Sequence, residues 1–255
     1  MILKNMSKFI FCDLEATGNR KQDRIIQLGL IIFEKGTKSC PEYVFNELNS
    51  VNANMMSEAM ELHNITPEML VGKKDLHSTE GYKMLCKFNL SENFFIVHDA
   101  QSDLKMLEKE DFVSKLTIID TLKCAKHIYS TLNIHRLQFL RYELELYKKE
   151  TAEAEKMNII LKAHDALSDA IVTKLLFEQL ILETANKFSI TSEFEAIQKL
   201  IELSSVPVLL QRFSFGKYKG EDIKDILRSD YKYVRWMRNT LELDEDMRYT
   251  LDYYL

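Results

Sequence analysis

The sequence predicts an α/β protein, a β-sheet flanked by helices, from two observations. Apolar segments of strand length crowd the first 50 residues, and helical segments then alternate with short apolar runs. The composition, 46% hydrophobic and 29% charged over 255 residues, suits a soluble chain with a proper core. Because no apolar run approaches membrane-spanning length, we expect a cytoplasmic protein without a membrane partner.

The first three predicted strands form an antiparallel meander. Residues 7–13 and 24–34 are apolar runs, and the second is nearly continuous, which is typical of a central strand. A turn at 35–38 leads into a third strand over 42–48. Two shorter buried strands are predicted further along the chain, at 94–97 and 117–119.

Helices are predicted around the later strands, at 67–70, 79–88, 104–107, 121–129, 136–146 and 151–161, before a long helix that ends near 184. The charged face of 151–161, which includes Glu153, is expected to face solvent. If Asp165 caps the long helix, His164 lies in the preceding loop and Asp169 in the first turns. Both side chains could then face one site beside the helix start.

The end of the chain has a different character. A polar stretch at 186–191 indicates a boundary, so we expect a first domain over 1–185 and a linker with an amphipathic helix over 186–211. Residues 213–220 alternate like a short hairpin and precede two or three short helices. The segment 212–255 is therefore predicted to be a small α+β module.

Two carboxylates, Asp13 and Glu15, end the first strand. Side chains alternate along a strand, so both point to one face, with Cα atoms about 6.6 Å apart. Carboxylates so close repel each other, and a divalent ion such as Mg²⁺ or Mn²⁺ relieves that repulsion. Thr17 and Gly18 then form a turn whose backbone can approach a ligand. The alternative is a solvated strand end with scattered acids.

Charge and cysteine content restrict the function classes. The formal net charge of −5 is not that of a non-specific nucleic-acid binder, although bound cations would offset several acids. The four cysteines are far apart and form no C-x-x-C pair. Their spacing therefore indicates free thiols rather than a zinc site or a disulfide framework.

Three ordered motifs carry a family resemblance. They are Asp-Leu-Glu-Ala-Thr-Gly at 13–18, Val-His-Asp-Ala-Gln-Ser-Asp at 97–103 and His-Asp-Ala-Leu-Ser-Asp-Ala at 164–170. Together with Ile-Asp-Thr-Leu at 119–122, they resemble the DEDDh 3′→5′ exonucleases over roughly residues 7–184. The resemblance implies a ribonuclease H-like mixed sheet flanked by helices.

The same resemblance implies a two-metal nuclease. Asp13, Glu15 and Asp169 would hold one Mg²⁺ or Mn²⁺, and Asp13 would bridge to a second ion with Asp103 helping through water. His164 would take the proton from the attacking water, because imidazole titrates near neutral pH. The products would be 5′-mononucleotides.

Substrate contacts are also implied. Thr17 and Gly18 would contact the terminal nucleotide, with His98 assisting nearby. Two positions depart from the family pattern: Asp99 stands where Asn is usual, and Ser102 where an aromatic residue is usual. Asp99 adds negative charge near the expected path of the phosphates.

The C-terminal segment resembles the small module of exonuclease X-like proteins. The match rests on Phe-Gly-Lys-Tyr-Lys-Gly at 215–220 and Tyr-Val-Arg-Trp at 233–236. Its aromatic residues are expected to pack inward as a miniature core. Lys217 and Lys219 are expected to contact DNA.

The leading function is a 3′→5′ exonuclease acting on DNA with a free 3′ end, in repair or proofreading, with a DNA polymerase or repair protein as a partner. One alternative is an RNA-processing exoribonuclease of the same fold. Another is a non-catalytic nucleic-acid-binding or scaffolding module, which the presence of all five site residues disfavours.

Overall fold

The computed structural model describes residues 7–34, 40–162 and 164–255. The turn expected at 35–38 lies outside these residues. These described residues divide into two compact units: one lies within 1–121 and 137–179, and the other within 122–136 and 180–255. No helix in the described part of the chain combines the length and apolar character needed to cross a membrane.

The first unit is built on a mixed sheet with the strand order β3-β2-β1-β4-β5. The strands are β1 (Lys8–Ala16), β2 (Ile25–Glu34), β3 (Tyr43–Leu48), β4 (Phe94–Val97) and β5 (Thr117–Asp120). β1, β2 and β3 pair antiparallel, whereas β4 is parallel to both β1 and β5. This architecture confirms the α/β prediction and the initial meander. β1 extends past Asp13 to Ala16, so the first acidic pair lies within the strand.

Helices of the first unit fill the connections after β3. They are α1 (Ser57–His63), α2 (Pro67–Leu70), α3 (Glu80–Lys87), α4 (Ala100–Glu108), α6 (Leu137–Glu143) and α7 (Tyr147–Lys156), and α5 (Thr121–Ile128) and α8 (Ala166–Phe188) continue into the second unit. Thr66 precedes α2 and Pro67 opens it, as expected. Apolar side chains of the sheet, including the fully buried Ile10, Leu30 and Phe95, form the core beneath α3 and α4.

The prediction for α7 was wrong in two respects. The helix begins at Tyr147 and ends at Lys156, so the predicted range 151–161 starts and ends too late in the chain. Glu153 is buried rather than solvent-facing, with its carboxylate 2.6 Å from the ammonium of the buried Lys174 on α8. Glu153 is buried because it forms an ion pair with a buried cation on a neighbouring helix. The residue pattern within 151–161 gives no indication of that partner.

The second unit contains α9 (Glu193–Ser205), α10 (Ile223–Ser229), α11 (Tyr231–Thr240) and α12 (Glu245–Tyr254). Its small core includes Phe213, Val234 and Met247, and the inward packing expected of the aromatic residues is confirmed for Phe213. The predicted hairpin over 213–220 is wrong. Within the fully described residues 212–255, strand pairing is limited to one isolated bridge between Arg212 and Asp222. Positive φ angles at Gly216 and Gly220 turn the chain instead of extending it.

Candidate active site

The candidate site starts from the pairing of β1 with β2. Asp13 lies directly opposite Gly29, and Glu15 lies opposite Gln27. Residues paired across two strands project to the same face of the sheet, so both carboxylates share a face with Gly29 and Gln27. The sequence analysis anticipated the common face of Asp13 and Glu15 but not the residues opposite them.

Gly29 lets the N-terminus of α8 lie directly on this face. A Cβ atom at Gly29 would fall 2.2 Å from the carbonyl carbon of Ala166. Gln27 fixes the same helix end: its Nε2 donates to Asp165 Oδ2 at 2.8 Å, and the Ala166 amide donates to Gln27 Oε1 at 3.3 Å. Asp165 also accepts from the Ser168 amide at 3.3 Å, which confirms Asp165 as the cap.

This docking brings three carboxylates together. Asp13, Glu15 and Asp169 each place one ligand oxygen within 4.8 Å of the other two. Burial raises the pKa of Asp13 well above its usual value, and the negative charges of Asp169 and Asp103 raise it further. Burial, then Asp169, raises the pKa of Glu15 to about 8, and burial raises the pKa of Asp169 to about 6. Such mutual repulsion is what a divalent cation would remove.

Asp103 reaches the same region from α4. It lies in the first turn of that helix, and its Oδ2 is buried with no hydrogen-bond partner among the described residues. Burial raises its pKa, and Asp99, Asp120 and Glu15 raise it further. A buried carboxylate oxygen that lacks a donor is costly unless a cation lies nearby. Asp103 is not one of the three residues whose ligand oxygens lie within 4.8 Å of one another.

His164 lies in the turn before α8, as expected, with a left-handed backbone (φ 51°) and an exposed side chain. It lines a cavity of about 410 Å³ together with Asp169, and its charge lowers the pKa of Asp169. An exposed imidazole and the Asp169 carboxylate thus line the same cavity.

Two side chains of this cavity were not identified from the sequence. Gln138 on α6 donates from Nε2 to Asp169 Oδ1 at 2.6 Å and so orients that carboxylate. Arg141, one turn later, donates from Nε to Glu150 Oε2 at 2.6 Å, and the charge of Arg141 lowers the pKa of Asp169. Their only sequence signal is the spacing of three, which puts both on one helix face.

The expected substrate-binding residues of the first unit have structural partners. Thr17 is buried, its hydroxyl donates to Asp23 Oδ1 at 3.2 Å, and the Arg24 amide donates to that hydroxyl at 3.1 Å. A Cβ at Gly18 would lie 2.6 Å from Asp23 Oδ2. His98 is partly buried with Nδ1 2.9 Å from Thr121 Oγ1. Thr17 and Gly18 therefore shape the loop after β1, and their contact with a nucleotide stays a prediction.

In the second unit, Lys217 and Lys219 are both exposed. The Lys217 ammonium is 3.1 Å from Asp230 Oδ2 and lies over the ring of Tyr218. Its charge is therefore partly offset within the module.

Comparison with known proteins decides the family. The model described as "Exonuclease" matches residues 10–177, which is more than half of the chain, and all three motifs fall inside it. The chain belongs to the exonuclease family. Its enzyme class is therefore that of the nuclease hydrolases, as the motifs predicted. A second family model, described as "Exodeoxyribonuclease X-like C-terminal", matches residues 213–241 and confirms the resemblance of the small module to exonuclease X-like proteins.

Individual relatives are more distant. Exodeoxyribonuclease 10 of Escherichia coli K12 is 25% identical over 203 residues, which cover 78% of either protein. The structure of exonuclease X with 5′ overhanging duplex DNA is 18% identical, with a TM-score of 0.51 over 77% of this exonuclease and 99% of that chain. E. coli exonuclease I with a dT13 oligonucleotide is 14% identical, with a TM-score of 0.52 over 72% and 43% of the two chains. These structures share the exonuclease fold.

Proposed function

We propose that this protein is a metal-dependent 3′→5′ exonuclease that removes 5′-mononucleotides from DNA. The observation that carries the proposal is the convergence of Asp13, Glu15 and Asp169, whose ligand oxygens all lie within 4.8 Å of one another. Asp103 adds a buried carboxylate oxygen without a donor among the described residues. An all-carboxylate set suits Mg²⁺ or Mn²⁺ rather than a softer metal.

The four acids would bind two metal ions. Asp13, Glu15 and Asp169 would hold one ion, while Asp13 and Asp103 would serve a second. When bound, the ions supply charge stabilisation to the attacking and leaving oxygens of the scissile phosphate. Gln138 keeps the carboxylate of Asp169 turned toward this cluster through its 2.6 Å hydrogen bond.

His164 would accept the proton of the attacking water. Its side chain is exposed beside the cavity that Asp169 also lines, so water can reach the imidazole. His164 lies in the turn before α8 rather than in the helix itself. Positioned bases of this kind contribute about 10² to 10⁴ in rate.

DNA is the proposed substrate because the relative E. coli protein is named an exodeoxyribonuclease and the exonuclease X structure contains duplex DNA. Thr17, Gly18, His98, Lys217 and Lys219 are the proposed substrate-binding residues. A role in DNA repair or proofreading, beside a polymerase or repair protein, belongs to the same proposal.

The test compares single-stranded DNA, duplex DNA and RNA of one sequence, each labelled at the 5′ end, with Mg²⁺, Mn²⁺ or chelator. We expect DNA to shorten from its 3′ end only when metal is present. Asp13→Ala should abolish the reaction, and His164→Ala should slow it by about 10² or more, with unchanged circular dichroism. Glu61→Gln, at an exposed acid on α1, is the control. Wild-type rates in Asp13→Ala would contradict the mechanism, and faster RNA cleavage would reassign the substrate.

A further inference from the structure

The outward face of α11 combines an aromatic ring with cations. Lys232, Arg235, Trp236 and Asn239 are all exposed, and their spacing of three and four places them on one side of the helix. Val234 and Met237 on the other side are fully buried in the module core. Residues 231–240 include three basic side chains and no acidic one, although the whole chain has a net charge of −5.

Trp236 packs against the ring of Tyr233, which neighbouring residues hold in place. Its indole is 48% exposed and packs against Tyr233, with ring centroids 5.7 Å apart. The Tyr233 hydroxyl accepts the Lys217 amide at 3.1 Å, and the Tyr218 ring meets Tyr233 edge-on at 5.0 Å. Gly216 makes room for that hydroxyl, because a Cβ there would lie 2.6 Å from it. The underlying rings therefore hold the indole while much of its surface stays open.

The charges of this face are available. Within the described residues, neither Lys232 nor Arg235 forms an ion pair. Three neighbouring cations of the module are each paired: Lys217 with Asp230, Arg228 with Asp225, and Arg238 with Asp252. Unpaired cations flanking an exposed indole have the chemistry that binds phosphates and stacks a base.

We propose that the exposed face of α11 is a second binding site for single-stranded nucleic acid. A base stacks on Trp236 while Lys232 and Arg235 contact the flanking phosphates. The inference rests on the proposed function, because it assigns a further contact to the same substrate. Since the module is covalently joined to the nuclease domain, a nucleic-acid strand bound on α11 is at high local concentration relative to that domain.

The experiment uses the intrinsic fluorescence of Trp236, which is the single tryptophan of the chain. A 20-nucleotide oligothymidylate is titrated into the full-length protein with chelator, so that no hydrolysis occurs. We expect saturable quenching, with an affinity that falls as salt is added. Lys232→Glu/Arg235→Glu should weaken binding and lower the salt slope by about 1.4, because each phosphate contact contributes about 0.7.

Matched variants separate stacking from general binding. Anisotropy of a labelled oligothymidylate should give about tenfold weaker binding for Trp236→Ala. Tyr253→Ala, which removes a ring that is 63% exposed on α12, should bind as wild type does. Metal-dependent hydrolysis of the p-nitrophenyl ester of thymidine 5′-monophosphate, which is too short to span two sites, should be unchanged in the α11 variants.

Two failures would be distinguishable. If the protein hydrolyses the ester but oligothymidylate leaves Trp236 fluorescence unchanged, the α11 site is wrong and the face serves another role, such as protein docking. Unchanged oligothymidylate affinity in Trp236→Ala would overturn the site as well. If neither the ester nor DNA is hydrolysed with any metal, the proposed function fails instead.

Discussion

Asp13 and Gly29 face each other across the β1–β2 pair, and α8 begins over the missing side chain of Gly29. The absence of a side chain at Gly29 therefore allows α8 to pack closely enough to bring Asp169 near Asp13. The next paired position on the same face repeats the arrangement, since Gln27 opposite Glu15 binds the cap residue of α8. The site thus depends on the pairing of β1, which carries the two acids, with β2, on which α8 packs.

Gly29→Ala should disrupt the site without touching an acidic residue. Its Cβ would collide with the Ala166 backbone at 2.2 Å, and overpacking of this kind costs about 1–3 kcal/mol. We expect a lower Tm, and we expect Mn²⁺ to raise the Tm of the wild-type protein but not that of Gly29→Ala. Gly72→Asn is the control, because nothing lies within 4 Å of that position and Asn tolerates its positive φ. Wild-type Mn²⁺ stabilisation in Gly29→Ala would contradict this account.

Glu15→Gln should stabilise the metal-free protein at alkaline pH. Burial and Asp169 raise the pKa of Glu15 to about 8, whereas Glu in an unfolded chain titrates near 4.3. The folded state therefore binds the Glu15 proton more tightly than the unfolded chain does. Its contribution to the free energy of unfolding is fully present below about pH 4.3 and is lost as the pH rises through 8. We expect the Tm of the metal-free wild type to fall more steeply than that of Glu15→Gln between pH 6 and about 8.5.

The same variant should lose its response to divalent ions. Metal competes with protons for the carboxylates, so Mn²⁺ should raise the wild-type Tm more at pH 8 than at pH 6. Thermal unfolding at both pH values, with Glu61→Gln as an exposed control, measures both effects. An equal Tm gain from Mn²⁺ in Glu15→Gln and wild type would argue against a metal site at Glu15.

Gln138→Ala should weaken metal binding while the fold persists. Its amide donates to Asp169 Oδ1, and removing a residue that orients a ligand typically costs about 10–100-fold in metal affinity. The hydrogen bond lowers the pKa of Asp169, so its loss should also move the pH dependence of metal binding upward. Calorimetry with Mn²⁺ at several pH values tests this, with Gln198→Ala on α9 as control. A purely structural glutamine would change Tm and leave the pH profile in place.

Lys174→Met should destabilise the fold more than removal of a surface lysine. Lys174 is 4% exposed and forms ion pairs with Glu153 and Glu178. Among the residues that the structure describes, its loss leaves the buried Glu153 with the exposed Lys156 as its remaining ion-pair partner. Breaking a buried pair from one side costs about 3–5 kcal/mol. Urea unfolding of Lys174→Met, and of the double variant Glu153→Met/Lys174→Met, measures this cost. The double variant should recover most of the stability, and Lys148→Met at an exposed pair should change little.

Much of the site was visible in the sequence because Asp103 and Asp169 lie in the first turns of helices and His164 directly precedes α8. Apolar runs predicted the strands, and Asp165 with its cap spacing separated His164 from Asp169 as the structure has them. The structure also brings Asp13, Glu15 and Asp169 together, which the strand pattern alone could not do.

Contacts that arise only from tertiary packing could not be predicted from the sequence. Gly29 looks like any glycine inside an apolar run until α8 lies on it, and Gln138 is one polar residue of an ordinary helix. Glu153 read as a surface acid because its counter-charge, Lys174, belongs to another helix. The alternating residues at 213–220 mimic a hairpin, yet glycines with positive φ bend them into a turn.

The position of α8 has a consequence for biosynthesis. Asp13 and Glu15 lie on β1 and leave the ribosome well before Asp169, which lies on α8. A nascent chain accordingly carries Asp13, Glu15 and Asp103 but lacks Asp169 until that helix has emerged and packed against Gly29. On the proposed mechanism, a growing polypeptide therefore gains nuclease activity only after α8 has been synthesised and has packed against the sheet.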